Sequence, residues 1–92
     1  MAIVPGSGGE RSIRVRLRLF AAYAEAAGRD ELELTLPPGA TAGDALAAVR
    51  REGWAARLPP RPAVAVNLRY APSDRVLGDG DEVAIIPPVA GG

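Results

Sequence analysis

Gly91 and Gly92 are the residues through which this sequence can do covalent chemistry, by way of the α-carboxylate of a double glycine that follows Ile85-Ile86-Pro87-Pro88-Val89-Ala90. The reading rests first on elimination. The 92 residues include no cysteine and no histidine, and all eleven basic residues are arginine. There is thus no side-chain thiol, no amine for a Schiff base, and no imidazole to act as general base. A terminal carboxylate, with a pKa near ~3.5, is ionised at neutral pH and is a poor acyl donor until something activates it. Its setting favours presentation to another molecule. Pro87 and Pro88 fix their φ angles and stiffen the exit of the tail, and the four residues beyond them can reach roughly 13 Å at about 3.3 Å each. Neither glycine has a Cβ, so the end can thread a channel too narrow for any other residue. A core seldom needs such a projection, and a functional tail is the expectation.

The remaining polar clusters have plainer readings. Asp74, Asp79, Asp81 and Glu82 do not have the spacing of a calcium loop, in which acidic residues alternate and a glutamate closes the set. Asp79-Gly80-Asp81 is expected to be a turn, and no metal site is expected. Arg14, Arg16 and Arg18 form a basic stripe whose structural explanation is a solvated ladder with Glu31 and Glu33 on a neighbouring antiparallel strand. Trp54 and Tyr70 are isolated aromatics expected to pack and not to stack bases. A formal net charge of zero argues against a broad surface for nucleic acid. Gly6-Ser7-Gly8-Gly9 is not a phosphate loop, since no strand precedes it and no Lys-Ser/Thr pair follows. No stretch approaches the roughly 20 apolar residues of a membrane span, and the N-terminus lacks the basic region of a secretory signal, so a cytoplasmic protein without membrane contact is expected.

The elements that must position the tail follow from periodicity. Residues 1–11 are aperiodic and Gly-rich and are read as a flexible leader. From Ile13 the chain alternates strictly, with Ile13, Val15, Leu17 and Leu19 on one side and the arginines on the other, as in a half-buried strand. A short helix over 21–27 should stop at Gly28. A second strand carries Leu32, Leu34 and Leu36. Thr41 and Asp44 have capping-box spacing, and Ala42, Ala45, Leu46 and Val49 make one apolar stripe for a helix that Gly53 should end. Val64 and Val66, with Leu68 at the margin, make a third strand, and Tyr70-Ala71 begins a short fourth. Val83 to Ile86 is a continuous apolar run suited to a central strand. Strand, strand, helix, strand, strand with an interior last strand is an α+β, ubiquitin-like β-grasp: a mixed four- to five-stranded sheet packed on one main helix plus a short helix. The expected division is a leader over 1–11, the β-grasp domain over 12–86, and an extended Gly-Gly tail over 87–92.

Over roughly Ile13 to Gly92 the sequence resembles the small subunit of molybdopterin synthase, the MoaD-type ubiquitin-like sulfur carriers. The resemblance lies in Arg18-Leu19-Phe20-Ala21 with Ala26-Ala27-Gly28, in Pro38-Gly39-Ala40-Thr41, in Ala65-Val66-Asn67, in Leu77-Gly78-Asp79-Gly80-Asp81-Glu82-Val83, and most specifically in Ile86-Pro87-Pro88-Val89-Ala90-Gly91-Gly92. One departure is Asn67-Leu68, where the family often has Asn-Gly; leucine tolerates a positive φ poorly, which leaves the hairpin type open. The resemblance implies a sulfur carrier with no catalytic machinery of its own, the sulfur-donating subunit of a sulfurtransferase complex. A ubiquitin-activating-like adenylyltransferase would use ATP to convert Gly92 to an acyl-adenylate. Sulfur would then replace AMP to leave a Gly92 thiocarboxylate. Val89, Ala90 and Gly91 would thread the channel of the synthase large subunit, in a hetero-tetramer, and Ile86, Pro87 and Pro88 would dock. The large subunit would bind the molybdopterin precursor, and the carrier itself would hold no cofactor directly. Two alternatives stand beside this: a sulfur carrier for another acceptor (thiazole, cysteine or tRNA), and a ubiquitin-like protein modifier.

Overall fold

The alternation that starts at Ile13 builds the first strand of a five-stranded sheet. The computed structural model describes residues 12–88; the expected leader over 1–11 and residues 89–92 lie outside the described residues. Strand β1 (Ile13–Arg18) leads to helix α1 (Ala21–Ala27) and strand β2 (Glu31–Leu36). Helix α2 (Ala42–Val49), a 3-10 helix over Gly53–Arg57, and strands β3 (Ala63–Val66), β4 (Arg69–Tyr70) and β5 (Glu82–Ile86) complete the order. The sheet runs β2-β1-β5-β3-β4. β5 lies parallel to β1 and antiparallel to β3, and the outer pairs β1–β2 and β3–β4 are antiparallel. This is the mixed β-grasp sheet expected, with five strands and two α-helices.

Register explains the core. Val15 and Leu17 of β1, Leu36 of β2, Val64 and Val66 of β3, and Val83 and Ile85 of β5 share one face, and Ala42, Ala45 and Val49 of α2 are buried with them. Alanine at two of the three buried α2 positions lets the helix lie close on the sheet. Tyr23 of α1, Leu58, Ala55 and Leu77 close the sides, and Trp54 packs against the margin half-buried. Among the described residues no polar or charged residue is buried. The fold therefore depends on apolar burial, at roughly 25 cal/mol for each Å² removed from water, and on backbone hydrogen bonds.

Local signals explain most of the element ends. Thr41 caps α2 as its spacing predicts: the Asp44 N–H donates to Thr41 Oγ1 at 3.2 Å, and the Thr41 N–H donates to Asp44 Oδ2 at 2.9 Å. Gly28 ends α1 at φ 79°, its N–H donating to the Ala24 carbonyl. Gly53 behaves differently from expectation. Helix α2 already stops at Val49, with Arg50 as its C-cap, and Gly53 opens the 3-10 helix that places Trp54 and Ala55 against the core. The Arg50 side chain turns back to donate to the carbonyls of Pro59 (2.6 Å) and Pro60 (3.1 Å), which ties the end of α2 to the proline-rich connection.

The β3–β4 hairpin settles the question raised by Asn67-Leu68. Leu68 is not part of β3; the two residues form the loop between the paired Val66 and Arg69, at φ 51° and 72°. Positive φ at both central positions is the type I′ arrangement, which matches the twist of the strands it joins. Asparagine suits its position, since Asn67 also binds β5 through side chain and backbone. Leucine does not, and its side chain is 86% exposed, so no burial repays the conformation. Leu68→Gly is accordingly expected to raise the unfolding free energy by up to about 1 kcal/mol, measured by urea denaturation; an unchanged or lowered midpoint would contradict the strain.

Candidate functional site

The site expected from the sequence begins where β5 ends. Register places the side chains of the outer sheet face in rows. One row runs Glu33, Arg16, Glu82 from β2 to β5, and the next runs Glu31, Arg18, Ala84, Ala65, Tyr70 across all five strands. In a third row Ile86 lies opposite Ala63, while Phe20, two residues past the last β1–β5 pair at Arg18–Ala84, keeps the outward parity of Arg16 and Arg18. The face thus changes from charged to apolar toward the end of β5 from which Pro87 and Pro88 emerge. Phe20 is 40% and Tyr70 76% exposed, while Ile86 and Pro87 are half-buried. A shallow cleft of about 310 Å³ opens beside the exit, walled by Pro59, Pro62, Tyr70, Ile86 and Pro88, with Arg61 as its one charged residue.

Arg18 marks the boundary between the two halves of this face. Its Nη1 donates to Glu82 Oε2 at 3.1 Å, and its guanidinium carbon sits 5.8 Å from the centre of the Phe20 ring, within reach of a cation–π contact. The solvated ladder expected between the arginines and Glu31 and Glu33 is therefore only half realised. Arg16 lies opposite Glu33 and Arg18 opposite Glu31, but the described ion pair is the one to Glu82. Glu82 reaches Arg18 because parallel pairing with Arg16 sets it diagonally across from that residue on the neighbouring strand.

The acidic residues before β5 act in turn geometry. The Arg14 N–H donates to Asp79 Oδ1 at 2.8 Å, and the Gly78 N–H donates to Asp81 Oδ2 at 2.8 Å. Asn67 Nδ2 donates to Asp81 Oδ1 at 3.0 Å, while Asn67 Oδ1 accepts from the Glu82 N–H at 3.0 Å. These bonds join the β3–β4 loop to the start of β5. The Gly78 N–H, then the Asn67 amide, hold the Asp81 carboxyl below its ordinary range, with Arg75 assisting against the effect of burial.

Of the residues singled out from the sequence, Ile86, Pro87 and Pro88 stand together at the exit; Val89, Ala90, Gly91 and Gly92 lie outside the described residues. Tyr70, expected to pack, instead faces solvent on the apolar end of the sheet. Tyr70 and Arg61 line the cleft beside the exit without being singled out for it by the sequence, and Phe20 stands exposed past the end of β1. Phe20 had a readable signal: it continues the even-numbered parity of Arg14, Arg16 and Arg18, an aromatic ring on the side that elsewhere faces water.

The profile of the ThiS family matches residues 17–92. The chain belongs to the ThiS family. A relative from Mycobacterium tuberculosis, named molybdopterin synthase sulfur carrier subunit, is 66% identical over 32 residues, which make up 35% of this chain and 39% of the relative. SAMP1 from Haloferax volcanii is 32% identical, with a TM-score of 0.74 over 86% of this chain and 99% of that one. A putative molybdopterin converting factor subunit 1 from Pyrococcus furiosus is 31% identical, also with a TM-score of 0.74, over 84% of this chain and 99% of its own. The two solved structures share the β-grasp with this ThiS-family chain.

The Asp81 contacts generate a pH prediction. A carboxyl whose folded pKa is lowered contributes stability that is fully present above its unfolded value of 3.8 and is lost as pH falls through the folded value. Asp81→Asn should therefore reduce the unfolding free energy at neutral pH and flatten its decline in acid, as read from urea titrations across that range; an acid limb of undiminished slope would count against Asp81 as a contributor.

Proposed function

We propose that this chain is a sulfur carrier of the molybdopterin-synthase type, working through the carboxylate of Gly92. The observation that carries the reading is the placement of Ile86-Pro87-Pro88. A central strand runs straight into a stiff exit beside exposed Tyr70, in a chain with no cysteine, lysine or histidine. The family match through residue 92 and the name of the 66% identical relative support it.

The mechanism assigns the chain the role of an activated acyl group. A Gly92 carboxylate oxygen attacks the α-phosphorus of ATP in an adenylyltransferase partner; pyrophosphate leaves and an acyl-adenylate forms. The terminal sulfur of a donor's persulfide attacks the acyl carbon and AMP leaves. A thiolate then attacks the donor-side sulfur of the resulting acyl disulfide, the S–S bond breaks, and a thiocarboxylate leaves while the thiol and donor become joined in a disulfide. Val89, Ala90 and Gly91 thread the channel of the synthase large subunit, where the sulfur passes to the molybdopterin precursor. Ile86, Pro87, Pro88, Phe20 and Tyr70 form the surface both partners grip, and the catalytic acids and bases are theirs.

SAMP1, at 32% identity and nearly full coverage, supports a second reading. In it the same acyl-adenylate is attacked by a partner's amine, and the chain becomes a protein modifier. Absence of lysine from this sequence excludes lysine-linked chains built on itself.

Two experiments test the site. In intact mass spectra of protein from its native host, the last peptide should carry sulfur in place of one oxygen. Deleting Gly91 and Gly92 should abolish sulfur transfer in an assay with activating enzyme, ATP and sulfur source, while the melting temperature stays within about 1 °C, because residues past a rigid exit add little to the core. Truncated protein that still supported transfer would end the sulfur-carrier reading; isopeptide-linked products from intact protein would favour the modifier.

Ile86→Asp tests the docking surface. A carboxylate placed in an apolar interface costs several kcal/mol unless it protonates, so affinity for the adenylyltransferase and for the large subunit should fall together by roughly a hundredfold or more, read by calorimetry. Unchanged affinity in a folded variant would place docking elsewhere.

A further inference from the structure

The two edges of the sheet are built differently. The β4 edge is two residues long, whereas β2 offers six. Leu19 donates its N–H to the Asp30 carbonyl at 2.9 Å, which makes that pair a hydrogen-bonded one. Alternation then directs the backbone of Leu32, Leu34 and Leu36 toward β1, and the N–H and C=O groups of Glu31, Glu33 and Thr35 toward the open side. On the far side of β1 the same alternation holds: Arg16 donates to the Asp81 carbonyl and Arg14 accepts from Gly80. Six backbone groups on β2 thus face outward in strand geometry, without the proline, bulge or lysine that commonly blunts such an edge.

A groove runs along this edge between β2 and α2. It holds about 330 Å³, and its floor is Leu32, Leu34, Ala48 and Trp54, with Arg29 and Glu52 on the rim. Above the edge, on the outer face, stand Glu31 and Glu33. Arg18, the residue opposite Glu31, is engaged by Glu82, and neither Glu31 nor Glu33 has an ion pair or side-chain hydrogen bond among the described residues.

We propose that the free edge of β2 is a strand-addition site for an extended peptide that alternates apolar and basic residues. The backbone groups of Glu31, Glu33 and Thr35 would complete the ladder. Apolar side chains of the incoming strand would enter the groove over Leu32, Leu34 and Trp54, and its basic side chains would lie beside Glu31 and Glu33 on the outer face. The inner edge of β2 already accepts a strand of this composition, since β1 reads Ile-Arg-Val-Arg-Leu-Arg. A second copy of this chain fits poorly. Antiparallel pairing of β2 with itself centred on Glu33 sets Glu33 against Glu33, and a shift by one pair toward its start sets Glu31 against Glu33, both like-charge contacts; a shift toward its end sets Glu33 against Thr35 and leaves Glu31 outside the paired stretch. The site lies at the opposite edge of the sheet from Tyr70 and does not depend on the sulfur-carrier reading.

The test uses the full chain and a peptide of the Ile13–Arg18 sequence with blocked ends. Trp54 is the single tryptophan and lies in the groove, so binding should shift its emission to the blue. Hydrogen exchange at the amides of Glu31, Glu33 and Thr35 should slow with the peptide present. A peptide with glutamate in place of each arginine, and the Glu31→Arg/Glu33→Arg variant with the original peptide, should each bind roughly tenfold more weakly. A peptide N-methylated at alternate amides should lose binding to the unaltered protein. The proposal is overturned if exchange at those three amides is unaffected at millimolar peptide, if protection appears on the Phe20–Tyr70–Ile86 face instead, or if it appears without peptide and rises with protein concentration, which would assign the edge to a second copy.

Discussion

Strand β5 sits between β1 and β3, and this one placement determines the rest of the structure. β5 supplies Val83 and Ile85 to the core and, among the described residues, the only parallel pairing in the sheet, and without it the halves β2–β1 and β3–β4 share no ladder. The contacts that fix its start are specific. Asn67 accepts from the Glu82 N–H and donates to Asp81, its own N–H donates to the Glu82 carbonyl, and Asp79 accepts from Arg14. The Asp79-Gly80-Asp81 turn therefore aligns β5 against both neighbours before its apolar run begins. Gly80 takes a φ of 87°, which an L side chain would resist.

Alignment at one end of β5 gives direction to the other. Because the strand is held by β1 through Ala84 and by β3 through Ile86, Pro87 leaves the sheet from a position that the ladder defines. The outer face changes character along the same axis, from the Arg16–Glu82 row to Phe20, Ile86 and Ala63. The charged rows cover most of the outer face, and exposed apolar surface gathers where Pro87 leaves the sheet. On the sulfur-carrier reading this suits a protein that must be gripped in turn by two enzymes and has no cysteine or lysine of its own.

Much of this could be read from single residues. Alternation at Ile13–Leu19 and Leu32–Leu36 specified two half-buried strands; Thr41 with Asp44 specified the start of α2; Gly28 ended α1; and the unbroken run Val83–Ile86 pointed to the central strand. The misreadings have physical causes. Gly53 looked like a helix terminus because a 3-10 turn has no distinct period over five residues. The ladder of Arg14–Arg18 with Glu31 and Glu33 was inferred from adjacent strands, but Arg18 takes its partner from β5, and no local pattern reveals which strand arrives on the second side. Tyr70 was assigned to packing on residue type, and its exposure depends on β4 being a two-residue edge. The outward backbone of β2 is likewise a consequence of register and has no compositional mark.

Strand order also has a consequence for how the molecule forms. β1 and β5 are joined in register at Arg16–Glu82, 66 residues apart, so the central ladder closes only after nearly the whole sequence is in place. Non-local pairing of this kind slows folding, because a long loop must be closed before any contact rewards it. Early in the process β1 with β2 and β3 with β4 can associate locally, each with an inner edge still open. During synthesis those edges emerge from the ribosome ahead of the strand that will cover them, and for that interval they are the surfaces most exposed to wrong pairing.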